Sequence, residues 1–314
     1  MKTVPQIIKE TKDSPNNGKI YLIDAISEYS GIFCCDGDIL YLVRNDEKCQ
    51  PLSIMTEFLQ MSTAVYVQSF DEKRSFPDAE YNILKYKGDC IEGFFENVDS
   101  FINLCVAHTN LLKGTSFEQF FYSLISLFQL PREQSFLNLE GLFGELSVLL
   151  YVHKYVGEDI SSYWHRDGSF SKYDFTLPNK KSIEVKASSQ GDKSVEIKHS
   201  QLFSIMQQVC LASVLVIEDN AGSTVEEVID GLRACPDICN NLQFELSLQK
   251  ELRRVSPSEV KSKRFVAPSI HFFLNSIINP FPILPDNVEK LEYKLDLSEK
   301  EPMLQDEFYR FISD

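Results

Sequence analysis

The stretch YDFTLPNKKSIEVKA, residues 173–187, holds an aspartate, a turn and then a Glu-x-Lys triplet. Read as a hairpin, its second strand alternates, with Ile183, Val185 and Ala187 on one side and Glu184 and Lys186 on the other. Asp174 sits on the preceding strand, where pairing brings it opposite, so two carboxylates and a lysine converge. That grouping suits metal-assisted hydrolysis of a phosphodiester. Mg2+ is a hard cation taken by a few carboxylates, phosphate oxygens and waters, and it offsets charge on the phosphate while acidifying a water. A lysine beside the carboxylates orients or deprotonates the attacking water. Glu145 offers a third carboxylate at the margin of an apolar helical stripe, where it needs a partner. Glu-x-Lys alone is a weak signal, since Glu196-Ile197-Lys198 repeats it nearby. A solvated strand face is the competing reading of the triplet.

The order of elements around these residues carries more weight than the triplet. Residues 137–157 place Leu139, Leu142, Phe143, Leu146, Leu149, Leu150 and His153 on one helical stripe, with Gly157 as its stop. His153 reads as a hydrogen-bonded core histidine. Strands are predicted at 172–178, 181–188 and 193–199, with turns at Pro178-Asn179-Lys180 and Gln190-Gly191-Asp192. A helix at 199–212, a strand at 213–219, helices from 223 to about 254 and a strand at 265–275 follow, then the Pro-rich stretch 278–287. Upstream, residues 1–19 are polar, with a loop at 15–18. Residues 18–90 read as a β-rich module containing a hairpin at 31–46 and strands near 62–70 and 80–88. Helices are predicted at 95–112 and 116–130, the second opened by a Ser116/Gln119 capping box and stopped by Pro131. The domain expectation is a β-rich module at 1–115, a catalytic core at 116–222 and an α+β extension at 223–314.

With 314 residues, 43% hydrophobic and 25% charged, the composition is that of a globular protein. No apolar run is long enough to span a membrane, and the first residues are too polar for a signal peptide, so a cytoplasmic location is expected. The eight cysteines, at 34, 35, 49, 90, 105, 210, 235 and 239, form no CxxC pair. Cys235-x3-Cys239 lacks the partners of a zinc site, and free thiols are the reading taken. A net charge of −15 argues against a protein that coats nucleic acid by bulk electrostatics, although a local basic groove is compatible with it. Residues 172–198 carry net +2 and residues 250–264 net +4. The second, KELRRVSPSEVKSKR, reads either as a phosphate-contacting stretch or as an exposed helix end. Tyr163 and Trp164, before His165 and Arg166, read as a packed loop anchor in preference to a base-stacking platform. There is no Gly-rich phosphate loop, dinucleotide fingerprint or nucleophile elbow.

GLFGELSVLLYV, YDFTLPNKKSIEVKAS and HSQL together resemble the PD-(D/E)XK nuclease superfamily. More narrowly, the chain resembles a bacterial family of PD-(D/E)XK-motif proteins from anti-phage gene neighbourhoods. The similarity is strongest over about 139–202, and PFPILPDNVEKLEYKLDLS extends it towards the C-terminus. The resemblance implies a restriction-endonuclease-like αβββαβ core within an α/β fold, and Mg2+-dependent DNA cleavage, with Mn2+ as the alternative ion. It assigns Asp174, Glu184 and Glu145 to the metal, Lys186 to catalysis and Gln201 to a polar position near the DNA backbone. Lys181, Lys198, Arg253 and Arg254 are the DNA contacts expected from the basic stretches. Tyr173 stands where the motif's name has proline. Methyltransferases and ATPase or helicase-like proteins are the partners the resemblance suggests, with no membrane. Two other readings stay open: a nuclease-fold subunit that no longer cuts, and an acidic mimic of DNA.

Overall fold

A computed structural model describes residues 2–46, 48–68, 76–88, 95–110, 116–129, 138–165, 172–189, 194–203, 207–238, 241–278 and 291–313. The expectations placed on Pro131, Arg166, the turn at 190–192, Lys193, residues 279–287, Cys90 and Cys239 fall outside these residues. The fold is mixed α/β, and the chain divides into two compact units, Met1–Pro131 and Arg132–Asp314.

The first unit opens with helix α1 (Val4–Asp13), unforeseen in a segment that reads as polar; its Ile7 and Thr11 are buried. Strands β1 (Tyr21–Ala25), β2 (Ser30–Cys35), β3 (Asp38–Arg44), β4 (Ser53–Met55), β5 (Leu59–Val67) and β6 (Ala79–Tyr86) form one antiparallel sheet in the order β1-β2-β3-β6-β5-β4. The expected hairpin is β2–β3, turning through Asp36 and Gly37, both at positive φ as a tight hairpin turn requires. Helices α2 (Phe95–Asn110) and α3 (Phe117–Gln129) complete the unit. The buried Tyr41 hydroxyl ties the sheet to α2, lying 2.9 Å from His108 Nδ1 and 2.8 Å from Thr109 Oγ1.

The second unit begins with α4 (Leu139–Tyr151), N-capped by Asn138. A single π turn follows (Val152–Val156), ending at Gly157 with φ 80°. Next come a 3-10 turn (Ser161–Tyr163) and strands β7 (Phe175–Leu177), β8 (Lys181–Ser188) and β9 (Ser194–Lys198). Then follow α5 (His199–Leu202), β10 (Gln208–Thr224), α6 (Val225–Arg233), α7 (Leu242–Leu252), α8 (Pro257–Ser262), β11 (Arg264–Leu274), α9 (Asn275–Ile278), β12 (Glu292–Asp296) and α10 (Gln305–Ser313). A four-stranded sheet runs β11-β10-β8-β7, with β8 and β10 parallel and the other pairs antiparallel. One apolar core joins α4, the sheet, α6, α7 and α10 through residues such as Leu146, Leu149, Ile183, Val214, Ile229, Phe244 and Phe308.

Two findings differ from the sequence expectation. The helix expected over 199–212 stops at Leu202, and residues 208–212 open β10. Val209, Cys210, Leu211 and Ala212 are fully buried, and β8 and β11 pair with this strand on either side. A strand enclosed in that way needs a continuous apolar run, which by period alone looks the same as a buried helix. The third strand of the central series, β9, leaves the main sheet and pairs antiparallel with β12 in a separate two-stranded ladder over a small core of Val195, Ile197, Leu211 and Leu295.

Candidate functional site

The β7–β8 hairpin turns through Asn179 and Lys180, at φ 57° and 58°. That turn fixes the register as Phe175 opposite Ile183 and Leu177 opposite Lys181, so Asp174 arrives beside Glu184. Asp174 Oδ2 accepts the Val185 N–H at 2.6 Å, which pins the carboxylate to the strand that carries Glu184 and Lys186. A single bridge, Trp164 to Phe175, lengthens the sheet by one residue. The His165 N–H then donates to the Asp174 carbonyl at 2.9 Å, with His165 at φ 44°, a left-handed conformation uncommon for histidine.

Helix α4 brings Glu145 to this edge because Gly144 allows a close approach. A Cβ built on Gly144 would lie 3.0 Å from the Ala187 Cβ of β8. Glu145 Oε2 accepts the indole N–H of Trp164 at 2.8 Å and lies 2.8 Å from His165 Nε2. Trp164 is fully buried, 5.5 Å from the Phe244 ring, as a packed anchor should be; this burial overturns the base-stacking alternative. Ligand atoms of Glu145, His165 and Asp174 all lie within 4.8 Å of one another.

Glu184 forms the other half of the site. It is 1% exposed, and its Oε1 is held by the Lys186 ammonium at 2.6 Å and by the Gln201 amide. Gln201 reaches it from α5, where its own Oε1 caps the Lys198 N–H. Glu184 Oε2 is buried with no hydrogen-bond partner among the described residues. Burial, reinforced by the charges of Glu145 and Glu184, holds the Asp174 carboxyl well above the usual range, against the Val185 N–H and Lys186. Burial also raises Glu184, more than Lys186 and Gln201 lower it. Burial alone would depress His165, but the hydrogen bond and charge of Glu145 outweigh it and hold the imidazole up.

These features fit a divalent cation. Carboxylates crowd together in a partly buried space with too little positive charge, and one carboxylate oxygen faces inward without a donor. Oxygen donors suit Mg2+ or Mn2+, and an imidazole nitrogen in the set is compatible with Mn2+. Sequence reasoning missed His165 as a member. Its segment has no period, and the available signal was its position directly after a buried tryptophan and beside the Asp174 strand.

The expected DNA contacts are dispersed. Lys198 stands beside Lys186 and Gln201 in a cleft of about 460 Å3. The Lys181 ammonium is committed elsewhere, donating to the Phe311 carbonyl at 2.9 Å. Arg253 and Arg254 end α7, where Arg254 pairs with Glu251 at 3.1 Å and acts electrostatically on His165. Within 250–264, Lys261, Lys263 and Arg264 also hold carboxylates, those of Glu226, Glu259 and Glu227. His153 Nδ1 has no hydrogen-bond partner among the described residues, which departs from the expected bonded core histidine.

A mixed α/β unit that brings a helical glutamate, an aspartate and a Glu-x-Lys strand together has the arrangement expected of the nuclease-like class. The chain belongs to the DUF4420 family, described as "Putative PD-(D/E)XK family member", whose model matches residues 125–298. No curated protein and no solved structure matches the chain. No helix among the described residues is long and apolar enough to cross a membrane.

Proposed function

We propose that this protein is a divalent-metal-dependent DNA endonuclease of bacterial restriction or phage defence. The observation that carries this reading is the state of Glu184: buried, one oxygen held by Lys186 and Gln201, the other without a partner, beside the Asp174–Glu145–His165 cluster. Asp174, Glu184 and Glu145 would hold the ion, and His165 adds a nitrogen donor. When bound, a divalent ion supplies neutralisation of charge on the scissile phosphate and a more acidic water.

The protein's own groups do the rest. Lys186 is aimed by its 2.6 Å contact with Glu184, which puts its side-chain nitrogen where an attacking water or a phosphate oxygen needs a donor. Gln201 fixes the rotation of the Glu184 carboxylate. Trp164 and His165 fix Glu145 in the same way, and the Val185 N–H fixes Asp174. These contacts leave few degrees of freedom to be ordered at the moment of reaction. The defence role and any methyltransferase, ATPase or helicase-like partner rest on the family resemblance alone.

Supercoiled plasmid incubated with Mg2+ or Mn2+ tests the reading. Wild-type protein nicks or linearises it, and EDTA stops the reaction. Lys186→Ala and Asp174→Ala each lower the rate by about 10²–10³-fold or more without altering the circular dichroism spectrum. Cleavage that persists in both variants, or in excess EDTA, refutes it. A wild-type protein that binds divalent ions yet leaves plasmid intact would identify the non-cutting subunit instead.

A further inference from the structure

Lys186 also lines a cleft whose walls include none of Glu145, Asp174 and Glu184. The cleft is lined by Lys186 and Gln201 at one end, then by Glu196, Ile197 and Lys198 of β9 and by Glu292, Tyr293 and Lys294 of β12. In the β9–β12 ladder Lys198 lies opposite Glu292 and Lys294 opposite Glu196. The two lysines therefore occupy a diagonal, roughly 7–8 Å apart at Cβ. Neither ammonium has a carboxylate within ion-pair distance among the described residues. By contrast Arg254, Lys261, Lys263 and Arg264, in the most basic stretch of the sequence, each hold one. In a chain of net charge −15, uncommitted cations that converge with Lys186 on one cleft mark a place for anions.

The size and the residual charge narrow the ligand. About 460 Å3 is a small-ligand volume, far short of what a duplex needs. Three lysines against two glutamates leave only a slight positive excess, which suits one sugar-phosphate backbone. The carboxylates discourage a second strand. Because Lys186 both lines the cleft and contacts Glu184, a strand whose scissile phosphate sits by Glu184 has this cleft directly beside it.

We infer that the β9–β12 ladder is a binding groove for a single nucleic-acid strand flanking the scissile phosphate, with Lys198 and Lys294 each contacting a backbone phosphate. This rests on the DNA-cleavage reading of the adjacent site. It assigns a substrate role to β12, a strand remote in sequence from the Asp174–Lys186 hairpin, keeps Lys198 among the expected contacts and adds Lys294 in place of Arg253 and Arg254.

The test uses the full-length protein in the Lys186→Ala background, so that the strand is not cut, with a fluorescein-labelled oligothymidylate in Mg2+ across a salt series. Adding Lys294→Ala weakens binding about tenfold at low salt and reduces the slope of log K against log salt by about 0.7. Lys198→Ala does the same, Lys294→Arg restores most of the loss, and Lys300→Ala, outside the groove, changes nothing. In the otherwise wild-type enzyme Lys294→Ala raises KM for DNA and leaves kcat within about twofold, as removal of a uniform binding contact requires. Unchanged affinity and slope in Lys294→Ala overturn the groove while the plasmid assay still upholds the nuclease. A Lys186→Ala protein that binds no oligonucleotide, together with a wild type that leaves plasmid intact, overturns both. Cleavage of plasmid without oligothymidylate binding overturns the groove alone.

Discussion

Asp174 and Glu184 are costly residues for this fold to carry. Glu184 is buried and Asp174 half-buried, and burial together with the charge of Glu145 raises both carboxyls above the ordinary range, with Glu184 adding to the rise at Asp174. Linkage gives the sign. A carboxyl whose folded pKa is raised holds a proton that the unfolded chain releases. The stability this proton supports is full below about pH 4 and is lost as pH rises through the raised value. His165, held up by Glu145, acts in the same direction. Metal-free protein in EDTA is therefore expected to melt at progressively lower temperature as pH rises above about 4, the ordinary carboxyl value, and Asp174→Asn is expected to flatten that fall. At pH 7 the variant should gain on the order of 1 kcal/mol, a Tm rise of roughly 2–4 °C for a unit of this size. Mg2+ or Mn2+ should raise the melting temperature of the wild type and leave Asp174→Asn unmoved. Differential scanning fluorimetry across pH, with and without the ion, reads all three. A wild type that is as stable as the variant without metal at pH 7 would show that Asp174 is satisfied in the protein itself.

At the scale of elements, the site depends on how closely α4 lies against β8. Gly144 is the contact, and a side chain there meets Ala187 directly. Gly144→Val should cost about 1–3 kcal/mol by overpacking and should displace Glu145, so that metal affinity and cleavage fall by more than stability alone explains. Gly141, one turn earlier, has only the Asn138 Cβ near it, at 3.9 Å. Gly141→Ala should stabilise the helix by about 0.5–1 kcal/mol and leave activity unchanged. Thermal melts paired with plasmid cleavage separate the two.

The same elements show what the sequence could disclose. The β7–β8 hairpin was legible because its turn chemistry, Pro178-Asn179-Lys180, and its two-residue alternation agree, and together they dictate where Asp174 meets Glu184. Helix α4 was legible through its apolar stripe and Gly157. The start of β10 was not, since VCLASVLV carries no period that tells a buried strand from a helix. The β9–β12 pairing joins segments about a hundred residues apart, and nothing local in either announces the other. His165 owes its place to a single bridge between Trp164 and Phe175 and to an unusual backbone conformation, neither of which composition encodes.

For the whole molecule, the proposed activity raises the question of how a chain of net charge −15 would approach a polyanion. Long-range repulsion opposes the encounter, and the attractive groups are few and local: Lys186, Lys198 and Lys294 line one cleft, with Glu184 held by Lys186 and the Glu145–His165–Asp174 cluster nearby. In the proposed reading, the carboxylates beside the cleft oppose an approaching phosphate when no divalent ion is bound. A bound divalent ion would shift the local charge towards positive. The expectation is that DNA affinity depends on the divalent ion as strongly as cleavage does. Measured with Lys186→Ala by fluorescence anisotropy, binding should tighten about tenfold or more, at least 1.4 kcal/mol, when EDTA is replaced by Mg2+. The salt slope should stay shallow, near that of about two single-strand phosphate contacts, those of Lys198 and Lys294. Because screening weakens the bulk repulsion over distances beyond about 10 Å, the association rate should rise or hold steady as salt increases to about 0.1 M, while the dissociation rate grows. A basic nucleic-acid protein shows the opposite, with association slowed by salt. Stopped-flow association traces at two salt concentrations distinguish the cases. Slower association in higher salt would mean that a basic surface larger than this cleft captures the DNA.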